Sequence, residues 1–413
     1  MIRRILFLAP YSVPVNNPEA ICNAKLIKVL SEAGYELDVI SKNNNHAYAP
    51  DACDHLFVDK VCSIKTFVLK NKVNLRTIID HCSVFLKTGY VYKGAHWAKY
   101  AIREAERLIK QKKYDLIMSR SPASELAALY LSQRYKIRWI ANWNDPYPDQ
   151  CYPEPYGKGP RAGLGRMQYR LLKQVVRKAD LHTFPCERLK NYMLQYMGLQ
   201  EVKSVTVIPH VCLDNLFPYK QKTVSSLLRV IHSGNVSLPR SPITLFAGLK
   251  LFKQKIPGAA FEVAFMGKQD QDFRNLVQVY GLEDHIKLIP PQDYISNLKI
   301  MSEYDLALLI EADMNEGIFL PTKVGDYMQC RLPVWALSPD NGEMKDLYLE
   351  GKISYFSDVA SAEGIAKVFE KIYTEYLAGD NKLPEVTLVN EYSGACVLRQ
   401  YETIFEKMET VCF

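Results

Sequence analysis

The sequence of 413 residues lacks the patterns that mark several common functional classes. Its ten cysteines include no Cys-x-x-Cys pair, and its eight histidines form no His-Glu-x-x-His motif and no Cys/His cluster. These absences argue against a zinc site and indicate that most of the thiols are buried apolar residues. The sequence has no Walker A motif, no Gly-x-Gly-x-x-Gly motif and no repeat at solenoid periods. It therefore gives no sign of a zinc protein, a P-loop enzyme or a solenoid.

No apolar run reaches the roughly 20 residues that a membrane-spanning helix needs. Near the N-terminus, the apolar run "ILFLAP" has six residues and leads into a polar Asn-Asn loop instead of a cleavage site. This pattern indicates a first buried strand and not a signal peptide. The chain is therefore expected to be cytoplasmic, with reduced thiols, either free or peripheral at the inner face of the membrane.

The composition is that of a globular protein, with 48% apolar and 23% charged residues. The chain is too long for one ordinary core, which predicts two domains of about 200 residues each. Short, continuous β-branched runs alternate with helical patterns, as expected for parallel strands that are covered on both faces. The sequence therefore predicts an α/β protein with two doubly wound, Rossmann-like domains that face each other across a cleft.

Two successive series of predicted strands set the domain limits. The first series lies at 3–9, 36–41, 114–119, 137–143, 180–185 and 204–209. The second lies at 228–234, 261–267, 286–291, 305–310, 332–338 and 353–357. A polar connector separates them, so we predict an N-terminal domain over 1–220 and a C-terminal domain over 221–389. A last helix within 390–413 is expected to return to the N-terminal domain.

Basic residues are concentrated in two segments. Residues 60–113 carry 13 Lys or Arg against three acids, and residues 158–178 carry seven basic residues and no acid. On a helix over 164–178, the two sides are distinct: Arg166, Arg170, Lys173 and Arg177 on one, and Leu164, Met167, Leu171 and Val175 on the other. This helix either docks on the sheet with a solvated basic face or touches an anionic membrane surface. Nucleic acid ranks lower as a partner, because no recognition motif accompanies the charge.

The first candidate for anion binding is the loop "HSGNVSLPRSP" over 232–242. Gly234 permits a close approach of the backbone just past a strand. The planar guanidinium of Arg240 is then placed to bind a diphosphate. The alternative is a loop arginine in solvent.

The second candidate is "EGIFLPTKVGDY" over 316–327, at a predicted loop-to-helix boundary. Pro321 suits the first turn of a helix, and Thr322 can cap near it. The helix start favours an anion, to which Lys323 adds a positive charge. Asp326, one turn later, can accept two hydrogen bonds from a ribose diol. The alternative is a surface Lys–Asp pair worth a few tenths of a kcal/mol.

The predicted N-terminal domain offers two weaker candidates. Asn144 and Asp145 follow a strand end, where Asp145 can orient an acceptor hydroxyl or the sugar, although Asp before Pro is also a turn signature. Asn16 and Asn17 follow the first strand, and Asn tolerates the left-handed backbone of a tight loop at a helix start.

With these segments, the chain resembles the GT-B fold glycosyltransferases of the large retaining family 4. It is most similar to the members that take part in capsule, O-antigen and exopolysaccharide synthesis. The resemblance rests on "SGNVSLPRSP", on "EGIFLPTKVGDYMQCRLPVWALSP", on the first 41 residues and on "IANWNDPYP". It covers most of the chain but not residues 45 to 110.

The resemblance implies roles for individual residues. Arg240 and Lys323 would bind the donor diphosphate and steady the leaving group, and Asp326 would hold the ribose with a shorter reach than the Glu of many relatives. The sugar end of the site would be lined by Glu316, Gly317 and Ile318. Asn235 stands where some relatives have Arg, which leaves Arg240 as the chief cation of its loop. Asn16 and Asn17 replace glycines, so substrate contacts there stay open.

The residues suggest transfer of a sugar from a nucleotide-diphosphate sugar to a hydroxyl of a glycan or polyprenyl-linked acceptor, with positive groups stabilising the leaving diphosphate. No DxD-like motif ends a strand of the donor domain, so no metal or other cofactor is expected. Anomeric retention is implied by the resemblance alone. The alternatives are a GT-B nucleotide-sugar 2-epimerase and a non-catalytic nucleotide-sugar-binding or scaffold paralogue. The base, the sugar, the acceptor and the linkage stay open.

Overall fold

The computed structural model describes residues 2–15, 17–43, 53–68, 75–91, 94–120, 123–160, 165–197, 204–213, 216–217 and 224–410. The chain divides into two compact units. The N-terminal unit comprises residues 1–152, 157–211 and 391–413, and the C-terminal unit comprises residues 153–156 and 212–390. The change of unit after residue 211 lies nine residues before the limit expected from the sequence, and Asn16, Leu164 and residues 218–223 lie outside the described residues.

A parallel seven-stranded sheet with the order β3-β2-β1-β4-β5-β6-β7 forms the centre of the N-terminal unit. Its strands are β1 (Arg4–Leu8), β2 (Glu36–Asn43), β3 (Ser63–Val68), β4 (Leu116–Arg120), β5 (Arg138–Asn142), β6 (Leu181–Phe184) and β7 (Val205–Val207). The predicted strands of the first series are all present. The sequence missed β3, because this edge strand mixes polar and half-buried residues instead of forming a continuous apolar run.

The helices of the N-terminal unit are α1 (Pro18–Glu32), α2 (His55–Val58), α3 (Leu75–Thr88), α4 (Ala95–Gln111), α5 (Ser124–Tyr135), α6 (Arg166–Lys178), α7 (Glu187–Met197) and α14 (Gly394–Thr410). Helix α1 begins where Asn17 Oδ1 accepts a hydrogen bond from the backbone N–H of Ala20 at 2.9 Å. Helix α14 packs against α1, and the rings of Tyr35 and Phe405 meet edge to face at 5.3 Å. The last helix is thus part of the N-terminal unit.

The basic helix α6 departs in one respect from its predicted sidedness. Leu171 and Val175 are buried, as an amphipathic helix on a sheet requires. Met167, which the helical pattern places with them, is 43% exposed. Met167 lies in the first turn, one turn before Leu171, the first buried side chain of the helix.

The C-terminal unit has a parallel six-stranded sheet with the order β10-β9-β8-β11-β12-β13. Its strands are β8 (Leu228–Ser233), β9 (Phe261–Met266), β10 (Ile286–Ile289), β11 (Leu306–Ile310), β12 (Val334–Ser338) and β13 (Tyr355–Asp358). Its helices are α8 (Ile243–Lys255), α9 (Gln271–Tyr280), α10 (Tyr294–Met301), α11 (Thr322–Gln329), α12 (Glu343–Leu349) and α13 (Ala362–Ala378). An aromatic core joins sheet and helices: Phe369 packs edge to face on Phe252 at 4.8 Å and stacks on Trp335 at 5.4 Å.

The predicted fold class is confirmed, since each unit is a doubly wound parallel sheet with helices as crossovers. In each sheet the strand order reverses beside its first strand, between β1 and β4 and between β8 and β11. Ligands of such sheets bind outside the carboxyl ends of the strands at this point of reversal. Among the described residues, no helix has the length and apolar character needed to cross a membrane.

Candidate donor site in the C-terminal unit

The reversal point of the C-terminal sheet contains the turn after β8. Gly234 follows the strand with a φ of +109°, a conformation that favours glycine. A β-carbon at this position would lie 2.9 Å from Nζ of Lys323. The amine of Lys323, on the first turn of α11, therefore lies directly above the backbone of Gly234, as the two predicted anion-binding segments require.

The ring of His232 fixes the amine of Lys323 by a hydrogen bond. His232 is fully buried, and its Nδ1 lies 3.0 Å from the carbonyl oxygen of Leu308, so that this nitrogen is the donor. Its other ring nitrogen, Nε2, then accepts from Nζ of Lys323 at 3.3 Å. Burial and the nearby charge of Lys323 lower the pKa of His232 well below its usual value. A neutral histidine at this place fixes the amine without repelling it.

Lys323 changes its protonation state near neutral pH. Burial, helped by the positive charge of Arg240, lowers its pKa to about 7, and Asp326 opposes that shift only in part. At neutral pH the ligand-free amine is thus partly uncharged. An anion bound beside it would favour the ammonium form and draw a proton to the site.

Glu311 is a buried acid that the sequence reasoning did not identify. It follows the end of β11, is 5% exposed, and accepts a hydrogen bond from the hydroxyl of Ser338. Burial raises its pKa to about 7, against the opposing effects of Ser338 and Arg240. A sequence signal existed, because an acid directly after the apolar run "DLALLI" lies at the carboxyl end of a predicted strand.

Arg240 lies beside an aromatic residue from a distant part of the chain. Its guanidinium carbon is 5.8 Å from the ring centroid of Tyr156, which belongs to the 153–156 segment of the C-terminal unit. The ring of Tyr156 meets that of Phe319 edge to face at 5.8 Å. Burial raises the pKa of Tyr156 and Arg240 opposes the shift. No local pattern in the sequence connects Tyr156 to this loop, which is why it was missed.

Asp326 lies one turn along α11 from Lys323. One of its carboxylate oxygens, Oδ1, accepts a hydrogen bond of 2.6 Å from the hydroxyl of Tyr294 in α10. This bond fixes the orientation of the carboxylate. Thr322 is the first residue of α11, with Pro321 in the capping position, so Thr322 does not cap the helix as the sequence suggested. Proline has no side-chain oxygen with which to satisfy the first N–H groups.

The predicted sugar-end residues have different environments. Gly317 bonds to a neighbouring loop: its N–H donates to the carbonyl of Asn341 at 2.9 Å, and its carbonyl accepts from the N–H of Glu343 at 2.7 Å. Glu316 is half-buried, whereas the side chain of Ile318 is fully buried. Ile318 therefore cannot line a site with its side chain, because an apolar residue here packs into the core.

Asn235, the residue beside Gly234, also serves the local fold. Its side-chain oxygen accepts a hydrogen bond of 2.7 Å from the backbone N–H of Lys268, in the loop after β9. The side chain thus joins two loops at the carboxyl edge of the sheet. Among the described residues of segments 232–242 and 316–327, Arg240 and Lys323 are the cations beside the Gly234 turn.

The predicted residues of the N-terminal unit belong to a separate polar cluster. The amide of Asn144 donates to both carboxylate oxygens of Glu19, at 2.8 and 3.0 Å, and its oxygen lies 3.5 Å from a guanidinium nitrogen of Arg120. Asp145 is exposed and interacts with Tyr152, whose pKa is raised by burial and by Asp145. These groups lie at the carboxyl ends of β4 and β5.

Asn17 caps α1 with its side-chain oxygen, which gives a testable expectation. Asn17→Ala should lower the free energy of unfolding of the N-terminal unit by about 1 kcal/mol, because the N–H of Ala20 loses its partner. Asn17→Ser should retain the cap and the stability. Thermal melts of both variants check this, and a fall in kcat/KM for Asn17→Ser without loss of stability would instead identify a substrate contact.

Gly234 gives a second expectation. Gly234→Ala places a β-carbon 2.9 Å from the amine of Lys323 and imposes a left-handed φ on alanine, at a cost of about 1–3 kcal/mol. The amine of Lys323 should be displaced. The affinity for a nucleoside diphosphate should then fall about tenfold, since one charged contact is weakened. Titration calorimetry measures the affinity. Gly281→Ala, at a φ of +65° with open space around it, is the control for backbone strain alone.

Comparison with known proteins agrees with this fold. Residues 21–211 match the sequence model of Glycosyltransferase Family 4. No curated protein matches the sequence. The structure of Anabaena Alr3699/HepE in complex with UDP and glucose is 14% identical with a TM-score of 0.64, covering 98% of this chain and 100% of that one. Sucrose-phosphate synthase from Thermosynechococcus elongatus is 14% identical with a TM-score of 0.67, covering 98% and 99%. A putative UDP-N-acetylglucosamine 2-epimerase from Listeria monocytogenes is 13% identical with a TM-score of 0.59, covering 100% and 98%.

The two sheets and the shared architecture define a protein with the GT-B fold, and the family match makes it a glycosyltransferase. More particularly, residues 21–211, slightly less than half of the chain, match the family 4 model, so the chain is similar to family 4 over that range. The structural likenesses, at 13–14% identity, bear on the fold alone.

Proposed function

We propose that the C-terminal unit binds the diphosphate of a nucleotide sugar over the Gly234 turn, and that the chain transfers the sugar to a hydroxyl of a glycan or polyprenyl-linked acceptor. The observation that carries this proposal is the amine of Lys323, held by the neutral His232 above Gly234 at the reversal point of the sheet. Arg240, whose charge acts on Lys323, supplies the second cation. Two positive groups in one place match the two charges of a diphosphate.

The reaction moves negative charge onto the leaving diphosphate. Groups that are already in place when this charge develops stabilise the transition state more than mobile solvent does. Lys323, with its pKa near 7, gains its full charge as the diphosphate approaches. The ribose is assigned to Asp326, which Tyr294 orients. Glu316, Gly317 and the backbone of Ile318 are proposed for the sugar.

Asp145 is proposed to orient the acceptor hydroxyl, with Asn144 holding the adjoining carboxylate of Glu19. Transfer is proposed to retain the anomeric configuration and to serve bacterial surface polysaccharide synthesis, as the sequence resemblance implies. It is proposed to need no metal, because no DxD-like motif ends a strand of the donor domain. Among the described residues, no group of three or more His, Cys, Asp or Glu side chains is arranged to hold a metal ion. Transfer rates with and without a chelator test metal independence directly.

Thermal melting with nucleoside diphosphates and nucleotide sugars tests the donor proposal. A ligand that binds only the folded state raises the melting temperature by mass action. UDP and UDP-glucose come first, because the HepE structure contains UDP and glucose, and GDP and ADP follow. A shift with one base, lost in Lys323→Ala, is the expected result. No shift with any of them would favour a scaffold function instead.

Product analysis separates the remaining alternatives. Incubation with the identified nucleotide sugar alone should release free sugar slowly by transfer to water. A 2-epimerase would yield the epimeric sugar, and a scaffold would yield no product. The detection of an epimeric product would overturn the transferase assignment while leaving the donor site in place.

A further inference from the structure

Helix α3 presents its apolar side to solvent. Five large apolar side chains lie on it at 45–84% exposure, and they are called the α3 stripe: Leu75, Ile78, Ile79, Phe85 and Leu86. The other four follow Leu75 by three, four, ten and eleven residues, a spacing that places all five on one side of a helix. Single exposed apolar residues are ordinary, but a contiguous stripe on one helix marks an interaction surface.

The inward side of α3 is charged. Asp80 is fully buried, forms an ion pair with Lys99 of α4, and has Oδ2 2.6 Å from Nδ1 of His96. Burial alone would raise the pKa of Asp80, but Lys99 and His96 prevail and lower it. Val84, 1% exposed, is the buried apolar side chain of this helix among those described. The usual sidedness of a surface helix is thus reversed, since an ion pair faces the protein and the apolar stripe faces outward.

An apolar groove of about 550 Å³ runs beside the α3 stripe. It is lined by Ile78, Cys82, Phe85, Leu86 and Val91, together with Thr77 and His81. The groove enlarges the area on which a hydrocarbon surface could pack. Whatever covers the stripe must therefore be apolar where it meets α3.

The charge of the sequence segment that contains α3 favours an anionic partner. Residues 60–113 carry 13 basic residues and three acids. Each of the three acids is already paired: Asp80 with Lys99, Glu104 with Arg103 and Arg107, and Glu106 with Lys87. Lys112 is also paired, with Asp38 of β2. The excess of positive charge that remains in this segment disfavours a second copy of this chain and favours anionic headgroups, which add about 1 kcal/mol per basic residue near the surface.

Helix α6 adds to this positive region. Helices α3 and α6 both pack against α5, so they lie in the same layer of the N-terminal unit. Arg166, Arg170, Met167 and Tyr169 of α6 are all exposed. Exposed basic and apolar side chains on the same helix, as on α6, are typical of helices that lie in a membrane interface.

We propose that the N-terminal unit docks on an anionic lipid bilayer by placing the α3 stripe among the acyl chains, with the basic residues around α3 and α6 on the headgroups. This inference builds on the proposed function, because a polyprenyl-linked acceptor lies in such a bilayer. Docking itself needs neither the donor site nor catalysis. The two proposals can therefore fail separately.

Binding of the full chain to vesicles tests the proposal. Vesicles of phosphatidylcholine alone and with phosphatidylglycerol are sedimented with the protein at low and high salt. The wild type should partition onto the anionic vesicles, and high salt should weaken the binding. Ile79→Glu/Leu86→Glu should reduce the partition coefficient at least about 100-fold, because each buried side chain contributes roughly tenfold or more. Val279→Glu/Leu349→Glu, at 71% and 70% exposure in the C-terminal unit, is the matched control and should bind like the wild type.

Three results would overturn the inference. They are no binding of the wild type to anionic vesicles at low salt, equal binding by the stripe variant, and a stripe-dependent dimer in analytical ultracentrifugation. Fluorescence of Leu86→Trp provides a second readout, since insertion shifts its emission to the blue and headgroup contact alone does not. The melting-temperature shift with the donor nucleotide should be the same in all these variants, so failure of the donor proposal remains distinguishable.

Discussion

Lys323→Ala should lower kcat/KM by about 100- to 1,000-fold, the effect of removing one preorganised group that stabilises developing negative charge. The amine lies above Gly234 and beside His232, so no other side chain of α11 replaces it there. Steady-state kinetics with the donor identified by thermal melting measure the change. The larger part should appear in kcat if the contact strengthens in the transition state.

The same substitution, Lys323→Ala, should not lower the stability of the ligand-free protein. Burial lowers the pKa of Lys323, so the charged amine disfavours the ligand-free fold. The melting temperature of Lys323→Ala without ligand should therefore equal or exceed that of the wild type, while the ligand-induced shift is lost. Lys250→Ala, an exposed lysine of α8, is the control for charge removal. Unchanged kinetics in Lys323→Ala would remove the amine from the reaction.

Affinity for the nucleotide sugar should weaken as the pH rises from 6 to 8. Lys323 has a lowered pKa of about 7 and is cationic below it, and Glu311 has a raised pKa of about 7 and is neutral below it. Both groups are thus best suited to a diphosphate at pH 6. Each should reduce the affinity by about tenfold across this range, as one proton is lost per group.

The two contributions can be separated by substitution. Glu311→Gln fixes the neutral form and should leave only the tenfold change due to Lys323. The difference between the wild type and Glu311→Gln is then the contribution of Glu311. Calorimetry should use the nucleotide sugar, because a free nucleoside diphosphate has a terminal phosphate that titrates near pH 6. A wild-type affinity that is constant from pH 6 to 8 would contradict the prediction.

The sheets could be predicted because their central strands are buried on both faces. Runs such as "LRVIHS" and "LALLI" are continuous and apolar, and they remain strands in any context that covers them. The edge strand β3 has half-exposed polar positions and gives no such signal. Lys323 and Gly234 could be identified because each has a local signature at a strand or helix end.

Other parts of the site depend on tertiary contacts. The carbonyl of Leu308, 76 residues away, determines which ring nitrogen of His232 carries the proton, and Tyr156 meets Arg240 across 84 positions of sequence. The roles of Asn235 and Ile318 likewise depend on what the fold places beside them. Propensity and spacing carry no information on these distances.

Neither unit is built from one continuous stretch of chain. Residues 153–156 belong to the C-terminal unit although their neighbours on both sides do not, and residues 391–413 complete the N-terminal unit. A fragment that stops at residue 211 would therefore lack α14, whose Tyr401 and Phe405 are buried, and a fragment that starts at 212 would lack the Tyr156 partner of Arg240. During synthesis, the core of the N-terminal unit can close only after α14 has left the ribosome, long after the rest of the unit.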